Sequence, residues 1–374
     1  MLRAVTREFA DGEIAPIASQ IDATECIPDS LRAKLRANNY FSLLIPPPHG
    51  VGVDTVGYAV VMEELSRASA AVAITVSVHN SVAAGPIVHF GSDEQKARWL
   101  PRLATEALGA FALTEAGSGS DAAALITRAE RRGDEYILNG SKTFVTNGQY
   151  ADLFILMART SQAKHRGITA FLVERNAPGL TIGKNIDKMG IRGSDTVELS
   201  LQECRVPVAN RLHQEGHGFR VAMQALDGGR IGVAAQALGI AQACLESASR
   251  YAQDRYQFGR PIADFQAIQW MIAEMRTEIE AARLLTLQAA WRKDQGLAAG
   301  PYASMAKLKA SEVARMAADR AVQIHGGYGY TKEYAVERYY RDAKVTELYE
   351  GTSEIQHIVI ANSVLHSKDG KVST

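Results

Sequence analysis

Three regimes of hydrophobic spacing succeed one another along the chain. Up to about residue 108 the apolar positions recur at helical intervals. Val56, Ala59, Val60, Met62 and Leu65 form one such stripe, with Glu63 and Glu64 between them. An Ala- and Ser-rich stretch from Ser69 to Ala84 predicts a second helix. A third is expected after Gly91, with Ser92 or Asp93 as N-cap and Pro101 as the stop after Trp99-Leu100. From about Gly109 to Glu215 the apolar runs shorten and are bounded by turn residues. Leu153–Leu156, Ile168–Val173 and Thr196–Leu201 read as strands, and Tyr136–Val145 reads as two strands around an Asn139-Gly140 hairpin turn. No helix intervenes, which predicts an antiparallel sheet. Beyond about His217 the helical period returns. Phe265, Ile268, Ile272, Met275, Ile279 and Ala282 fall three or four apart, the seam of a bundle. Further helices are expected from about Tyr302 to Ile324 and through Ile355, Ile358 and Val359, and the Ser367–Thr374 tail is polar.

The expected architecture is therefore α+β and multidomain. An N-terminal helical domain (1–108) leads to a middle antiparallel β domain (109–215) and a C-terminal helical bundle (216–374). A length of 374 residues allows two to three domains with sizeable cores. Lys plus Arg balances Asp plus Glu at 41 each, which argues against nucleic acid as the main partner but leaves room for a small anionic ligand. Cys26, Cys204 and Cys244 lack metal spacing and read as reduced thiols. No uninterrupted apolar run of membrane-spanning length and no signal-peptide pattern is evident. Asn139-Gly140-Ser141 matches a glycosylation acceptor, which carries no weight without secretion.

Two stretches invite chemistry. Gly117-Ser118-Gly119-Ser120-Asp121-Ala122 fits a dinucleotide-binding pattern, but the hairpin-like run that follows is not the long helix such a unit needs. The loop can instead cradle an anion or a ring edge through its backbone N–H groups, or be a plain surface turn. Tyr349-Glu350-Gly351-Thr352 sets an acid between an aromatic ring and a glycine. Such an acid is either a solvated helix end or a carboxylate whose small neighbour admits a ligand.

Taken in order, Phe111–Asp121, Phe144–Gly148, Arg255–Phe258 with Gln266, Gln323–Gly327 and Leu348–Glu354 resemble the acyl-CoA dehydrogenase family. The likeness covers nearly the whole chain, and Ala225–Gln242 looks most like its short-chain, butyryl-CoA branch. The resemblance implies FAD as cofactor, a short acyl-CoA as substrate, an electron-transfer flavoprotein as acceptor and a homo-oligomer, expected to be a tetramer. It assigns the catalytic base to Glu350, which removes the α proton of a thioester. Its backbone N–H and a flavin ribityl hydroxyl polarise the thioester oxygen. Burial beside Tyr349 would raise the carboxylate's pKa toward that task, and Gly351 would let the thioester approach.

The same resemblance distributes the remaining site. Phe111, Leu113, Thr114, Gly119 and Ser120 correspond to one side of the flavin ring, and Phe144, Val145 and Thr146 to the other. Thr352 and Glu354, Arg255, Gln257, Phe258 and Gln266, and Gln323, Gly326 and Gly327 correspond to its pyrophosphate and adenosine contacts, partly across a subunit interface. Ser120, Asp227 and Arg230 correspond to positions that hold the CoA portion. Bland readings exist for some of these: a helix C-cap for Gly326-Gly327 and an intrahelical ion pair for Asp227–Arg230. Two departures stand out. Phe144 occupies a common tryptophan position and Ala116 a common proline position, which leaves the loop looser. Branched or cyclic acyl groups, an oxidase reaction, or a flavin-bearing assembly or DNA-binding role are the rival readings. A chain that opens at Met1 in its first helix favours a bacterial cytosol over a mitochondrial matrix.

Overall fold

In the computed structural model, residues 1–366 are described; the polar tail beyond them lies outside the described residues. The N-terminal helices are α1 (Leu2–Phe9), α2 (Ala18–Thr24), α3 (Asp29–Ala37), α4 (Thr55–Ala68), α5 (Ala70–Ser77), α6 (Gly85–Phe90) and α7 (Asp93–Thr105), with a π-helical segment, Val78–Ala84, joining α5 to α6. Asp54 caps α4 by accepting from the Gly57 N–H at 2.7 Å. Ser92 caps α7 in a reciprocal box with Gln95. Pro101 does not stop α7. The helix runs one further turn because Leu103 and Ala104 bury in the core, which offsets the hydrogen bond that proline removes. Glu63 and Glu64 on α4 are buried as well. Arg3 and Arg7 of α1 and Arg283 of the C-terminal bundle pair with them, tying three parts of the chain to one helix.

The middle domain is one sheet of β1 (Gly109–Ala112), β2 (Arg128–Arg132), β3 (Glu135–Thr146), β4 (Leu153–Arg159), β5 (Ile168–Glu174), β6 (Leu180–Asn185), β7 (Thr196–Pro207) and β8 (Arg211–Leu212). The order is β6-β7-β3-β2-β4-β5-β8, with β1 beside β4. Most pairs are antiparallel as expected, but β1 runs parallel to β4, and β2 meets β4 in parallel at Arg128 and Arg159. The Asn139-Gly140 hairpin does not exist. Those residues lie inside the continuous β3, and the turn falls at Gly133-Asp134, where Arg132 pairs with Glu135. Gly140 marks a register shift against β7 instead. Its φ is 147°, and a Cβ there would stand 2.6 Å from Thr127 Oγ1, so the glycine serves close strand approach.

The C-terminal domain comprises α8 (Gly218–Asp254), a small hairpin of β9 (Tyr256–Gln257) and β10 (Arg260–Pro261), α9 (Gln266–Asp294), α10 (Gly300–His325), α11 (Val336–Val345) and α12 (Ser353–Leu365). On α9, Met275, Ile279 and Ala282 are buried as the spacing predicts, while Phe265, Ile268 and Ile272, toward the hairpin end, are half-buried. On α12 the expected apolar positions stay half-buried or exposed, and the buried residue is Gln356. All three cysteines are free thiols. Two helical stretches, Ala70–Phe90 and Gly218–Asp254, are long and apolar enough to cross a membrane, although no uninterrupted run suggested it. Both are mostly buried inside the protein, as core helices are.

Candidate active site

The turn after α11 carries the candidate base. Glu350 has φ 52° and Gly351 φ 95°, so the chain passes through two consecutive left-handed residues between α11 and α12. Glycine accepts that conformation freely; glutamate adopts it at a cost of about 1–2 kcal/mol. Two donors hold the turn. Lys307 Nζ on α10 and Gln356 Nε2 on α12 each reach the Gly351 carbonyl at 2.8 Å. Tyr349 donates its hydroxyl to the Gln236 side chain on α8, whose amide in turn donates to Ala70 O at 2.9 Å.

The turn delivers the Glu350 carboxylate onto α8 at Gly229. A Cβ there would lie 1.8 Å from Glu350 Oε2, so only glycine leaves room for the carboxylate. Glu350 as a residue is half-buried, yet Oε2 is out of solvent and has no hydrogen-bond partner within the protein. Desolvation pushes its pKa up to about 7, against the opposing pull of Arg230 and Lys307. Tyr58 on α4 also faces it. A buried carboxylate with one unsatisfied oxygen and a near-neutral pKa is equipped to take a proton.

One turn and less along α8, Arg230 donates to Asp227 Oδ1 at 2.8 Å. The intrahelical pair is therefore real. It does not use up the guanidinium, because Arg230 Nε is buried without a hydrogen bond. Burial raises the Asp227 pKa, opposed by Arg230 and Lys293.

The Gly-Ser loop follows β1. Glu115 and Ser118 close its turn with two backbone hydrogen bonds of 3.0 Å, and Ser118 Oγ donates to Asp121 O at 2.7 Å. Beneath it, buried Lys142 pairs with Glu115 at 2.7 Å and donates to Leu113 O at 3.0 Å. The loop is thus clamped, contrary to the looseness expected from Ala116. Thr143 N–H donates to Thr114 O at 2.9 Å, which sets Phe111, Leu113, Thr114, Gly119 and Ser120 beside Phe144, Val145 and Thr146. Phe144 sits at φ 55° and is 64% exposed. A Cβ on Gly117 or Gly119 would meet nothing within 4 Å, so this backbone is open to a ligand.

The remaining predicted contacts gather elsewhere. Arg255 ends α8 and its guanidinium lies 5.6 Å from the Tyr328 ring, just past Gly326-Gly327. Gly326 is also the C-cap of α10, at φ 59°. Gln257, Gln266 and Gln323 are exposed, and Phe258 at the hairpin tip is 92% exposed. Arg255 and Gly229 are 26 positions apart on α8, roughly 39 Å at helical rise. Within one chain this set therefore stands far from Glu350. Thr352 caps α12 by accepting from the Ile355 N–H at 3.4 Å, and Glu354 follows it, exposed.

Sequence reasoning missed Gly229, Lys307, Gln236 and the Lys142–Glu115 pair as parts of the site. Only Gly228-Gly229 carries a signal, since two glycines inside a long helical pattern cost stability and call for a reason.

Comparison with known proteins accounts for the arrangement. The family models for the acyl-CoA dehydrogenase N-terminal, middle and C-terminal domains match residues 1–107, 110–204 and 216–365. An acyl-CoA dehydrogenase of Bacillus subtilis (strain 168) is 50% identical over 369 residues, covering 98% of this chain and 97% of that protein. The mitochondrial short-chain specific acyl-CoA dehydrogenase of Rattus norvegicus is 46% identical over 370 residues, covering 98% of this chain and 90% of its own length. Butyryl-CoA dehydrogenase from Megasphaera elsdenii superposes with a TM-score of 0.95 at 43% identity, covering 97% of each chain. The chain belongs to the acyl-CoA dehydrogenase family and is an FAD-dependent oxidoreductase acting on acyl-CoA. Its residues fit the cofactor: the open Gly117–Gly119 backbone and the exposed Phe144 face offer a surface for a flat ring, and Arg255 offers a cation for a diphosphate.

Proposed function

We propose that the chain dehydrogenates a short acyl-CoA to the trans-2-enoyl-CoA, with Glu350 as the base. The observation that carries this reading is the Glu350 carboxylate itself, seated on Gly229, unpaired at Oε2 and poised near pKa 7. Glu350 takes the α proton. FAD, when bound, would supply the acceptor for the β hydride. The turn supported by Lys307 and Gln356 holds the carboxylate at a fixed place, so orientation is settled before substrate arrives. The Glu350 backbone N–H serves to polarise the thioester oxygen, and Gly351 leaves the approach clear. Arg230, with Nε unpaired, and Asp227 hold the CoA portion together with Ser120.

Phe111, Leu113, Thr114, Gly119, Ser120, Phe144, Val145 and Thr146 hold the ring end of the cofactor. The far end falls to Arg255, Gln257, Phe258, Gln266, Gln323, Gly326 and Gly327 of a second copy, and the separation along α8 and the exposure of Phe258 support this division. A tetramer follows the family pattern. An electron-transfer flavoprotein would be the acceptor, and the exposed Phe144 side is where it would dock.

A short acyl chain is supported by Gly232, one turn beyond Gly229. A Cβ there would be 2.9 Å from Tyr58 Oη and 2.6 Å from Ser77 Oγ, so α8 closes tightly on α4 and α5 next to the base. The test is the visible spectrum of the purified protein, anaerobic, with butyryl-, isobutyryl-, octanoyl- and cyclohexanoyl-CoA added in turn. Strongest bleaching of the flavin band by butyryl-CoA is expected. Preferential bleaching by octanoyl-CoA would refute the short-chain reading, and no bleaching by any thioester would refute the reaction.

A further inference from the structure

Lys307 is fully buried on α10, on a face shared with buried Ala303, Ser304, Ala306 and Ala310. A buried ammonium is expensive. It brings three donors, and the hydrogen bond it makes is to the Gly351 carbonyl at 2.8 Å. An aliphatic side chain of similar volume would fill the site without that desolvation cost. The charge therefore needs a reason beyond packing. Gly351 is the residue after Glu350, and Gln356 Nε2 already donates to the same carbonyl at 2.8 Å. A neutral donor is thus present, and what lysine adds is its charge.

We propose that Lys307 is a positioning residue for the base: it pins the Glu350–Gly351 turn through the Gly351 carbonyl and brings a buried cation to the turn that carries the Glu350 carboxylate. This rests on the reading of Glu350 as base. The charged and titratable groups facing Glu350 are Arg230 from α8, Lys307 from α10, Tyr58 from α4 and Tyr349 from its own turn. Lys307 in turn faces Glu350, Arg230, Glu347 and Glu354. Arg230 is partly neutralised by Asp227 at 2.8 Å, whereas Lys307 has no carboxylate within hydrogen-bonding distance among the described residues. Burial opposes the ammonium and brings its pKa down to about 8, and Glu350 is the largest influence restoring it. The two groups therefore support each other's charge: ionised Glu350 holds Lys307 protonated, and protonated Lys307 holds Glu350 ionised.

The experiment uses the flavin-loaded protein and three variants. Lys307→Gln keeps a hydrogen-bond donor without the charge, Lys307→Met removes both, and Gln356→Leu removes the neutral donor alone. Each is titrated between about pH 5 and pH 9 while the infrared carboxyl stretch of protonated Glu350 is followed, identified by its loss in Glu350→Gln. This readout needs no turnover. Both Lys307 variants are expected to move the Glu350 midpoint alkaline by about one pH unit, and the acid limb of the rate profile with it. Gln356→Leu is expected to lower the plateau rate and leave the midpoint in place. If either Lys307 variant folds, binds flavin and titrates Glu350 at the wild-type midpoint, Lys307 is only a structural anchor and the inference fails. Full turnover in Glu350→Gln would instead remove the base reading, leaving the infrared titration to stand alone.

Discussion

Gly229 and Glu350 meet so closely that a Cβ on the glycine would lie 1.8 Å from Oε2 and 2.6 Å from the carboxyl carbon. A helix and a turn more than a hundred residues apart are thus fitted to each other through the absence of one side chain. Gly229→Ala should favour the helix, by about 0.5–1 kcal/mol. It should also push the carboxylate from its seat. The expected outcome is a protein at least as stable to heat, with full flavin, and a kcat lower by roughly 100-fold. A wild-type kcat would show that the position of the carboxylate is not limiting.

The Glu350 pKa near 7 makes activity and stability respond to pH in opposite directions. In the proposed role the carboxylate must be ionised, so kcat/KM is expected to rise with pH through about 7. For stability, the folded protein keeps a proton between the ordinary 4.5 and about 7, where the unfolded chain has lost it. Stability conferred on the protonated state is therefore lost as pH climbs through that window. Thermal melts of the wild type against Glu350→Gln should diverge progressively between pH 4.5 and about 7 and stay a constant distance apart above it, with the variant the more stable. An acid limb centred near 4.5 would contradict the burial argument.

Lys142 and Glu115 form a buried pair under the Gly-Ser loop, and removing one partner leaves the other charge unpaired. Burial brings the Lys142 pKa down to about 8, while Glu115 is held below its ordinary value by Lys142 and the Ile126 and Thr127 contacts despite desolvation. Lys142→Met should cost about 3 kcal/mol in stability. It should also loosen the loop enough to lower flavin content at purification. Unchanged thermal stability would mean that the Ile126 and Thr127 N–H groups satisfy Glu115 alone.

Arg255→Ala removes the cation at the far end of α8 without touching the Glu350 turn. The purified variant should carry several-fold less flavin, and added FAD should restore turnover. Undiminished flavin would place the diphosphate elsewhere.

The helix–β–helix plan could be read from the sequence because burial follows the periodicity so directly, as at Met275, Ile279 and Ala282. Local signals failed where tertiary contacts outweighed them. Asn139-Gly140 has the chemistry of a turn, but β7 pairs across it and Gly140 is used to let Thr127 approach. Pro101 has the chemistry of a stop, but the core draws α7 past it. In the candidate site, Glu350 stood out in the sequence because its neighbours form a motif. Lys307, Gln236 and Gly229 did not, because each acts across space: a lysine in a small-residue helix and a glycine inside another carry no mark of the turn they meet.

The role of Glu350 is tested most directly by rapid anaerobic mixing of flavin-loaded Glu350→Gln with butyryl-CoA, following the visible flavin band beside the wild type. The variant is expected to bind flavin and thioester and leave the band unbleached while the wild type bleaches. Bleaching at the wild-type rate would show that another group takes the α proton.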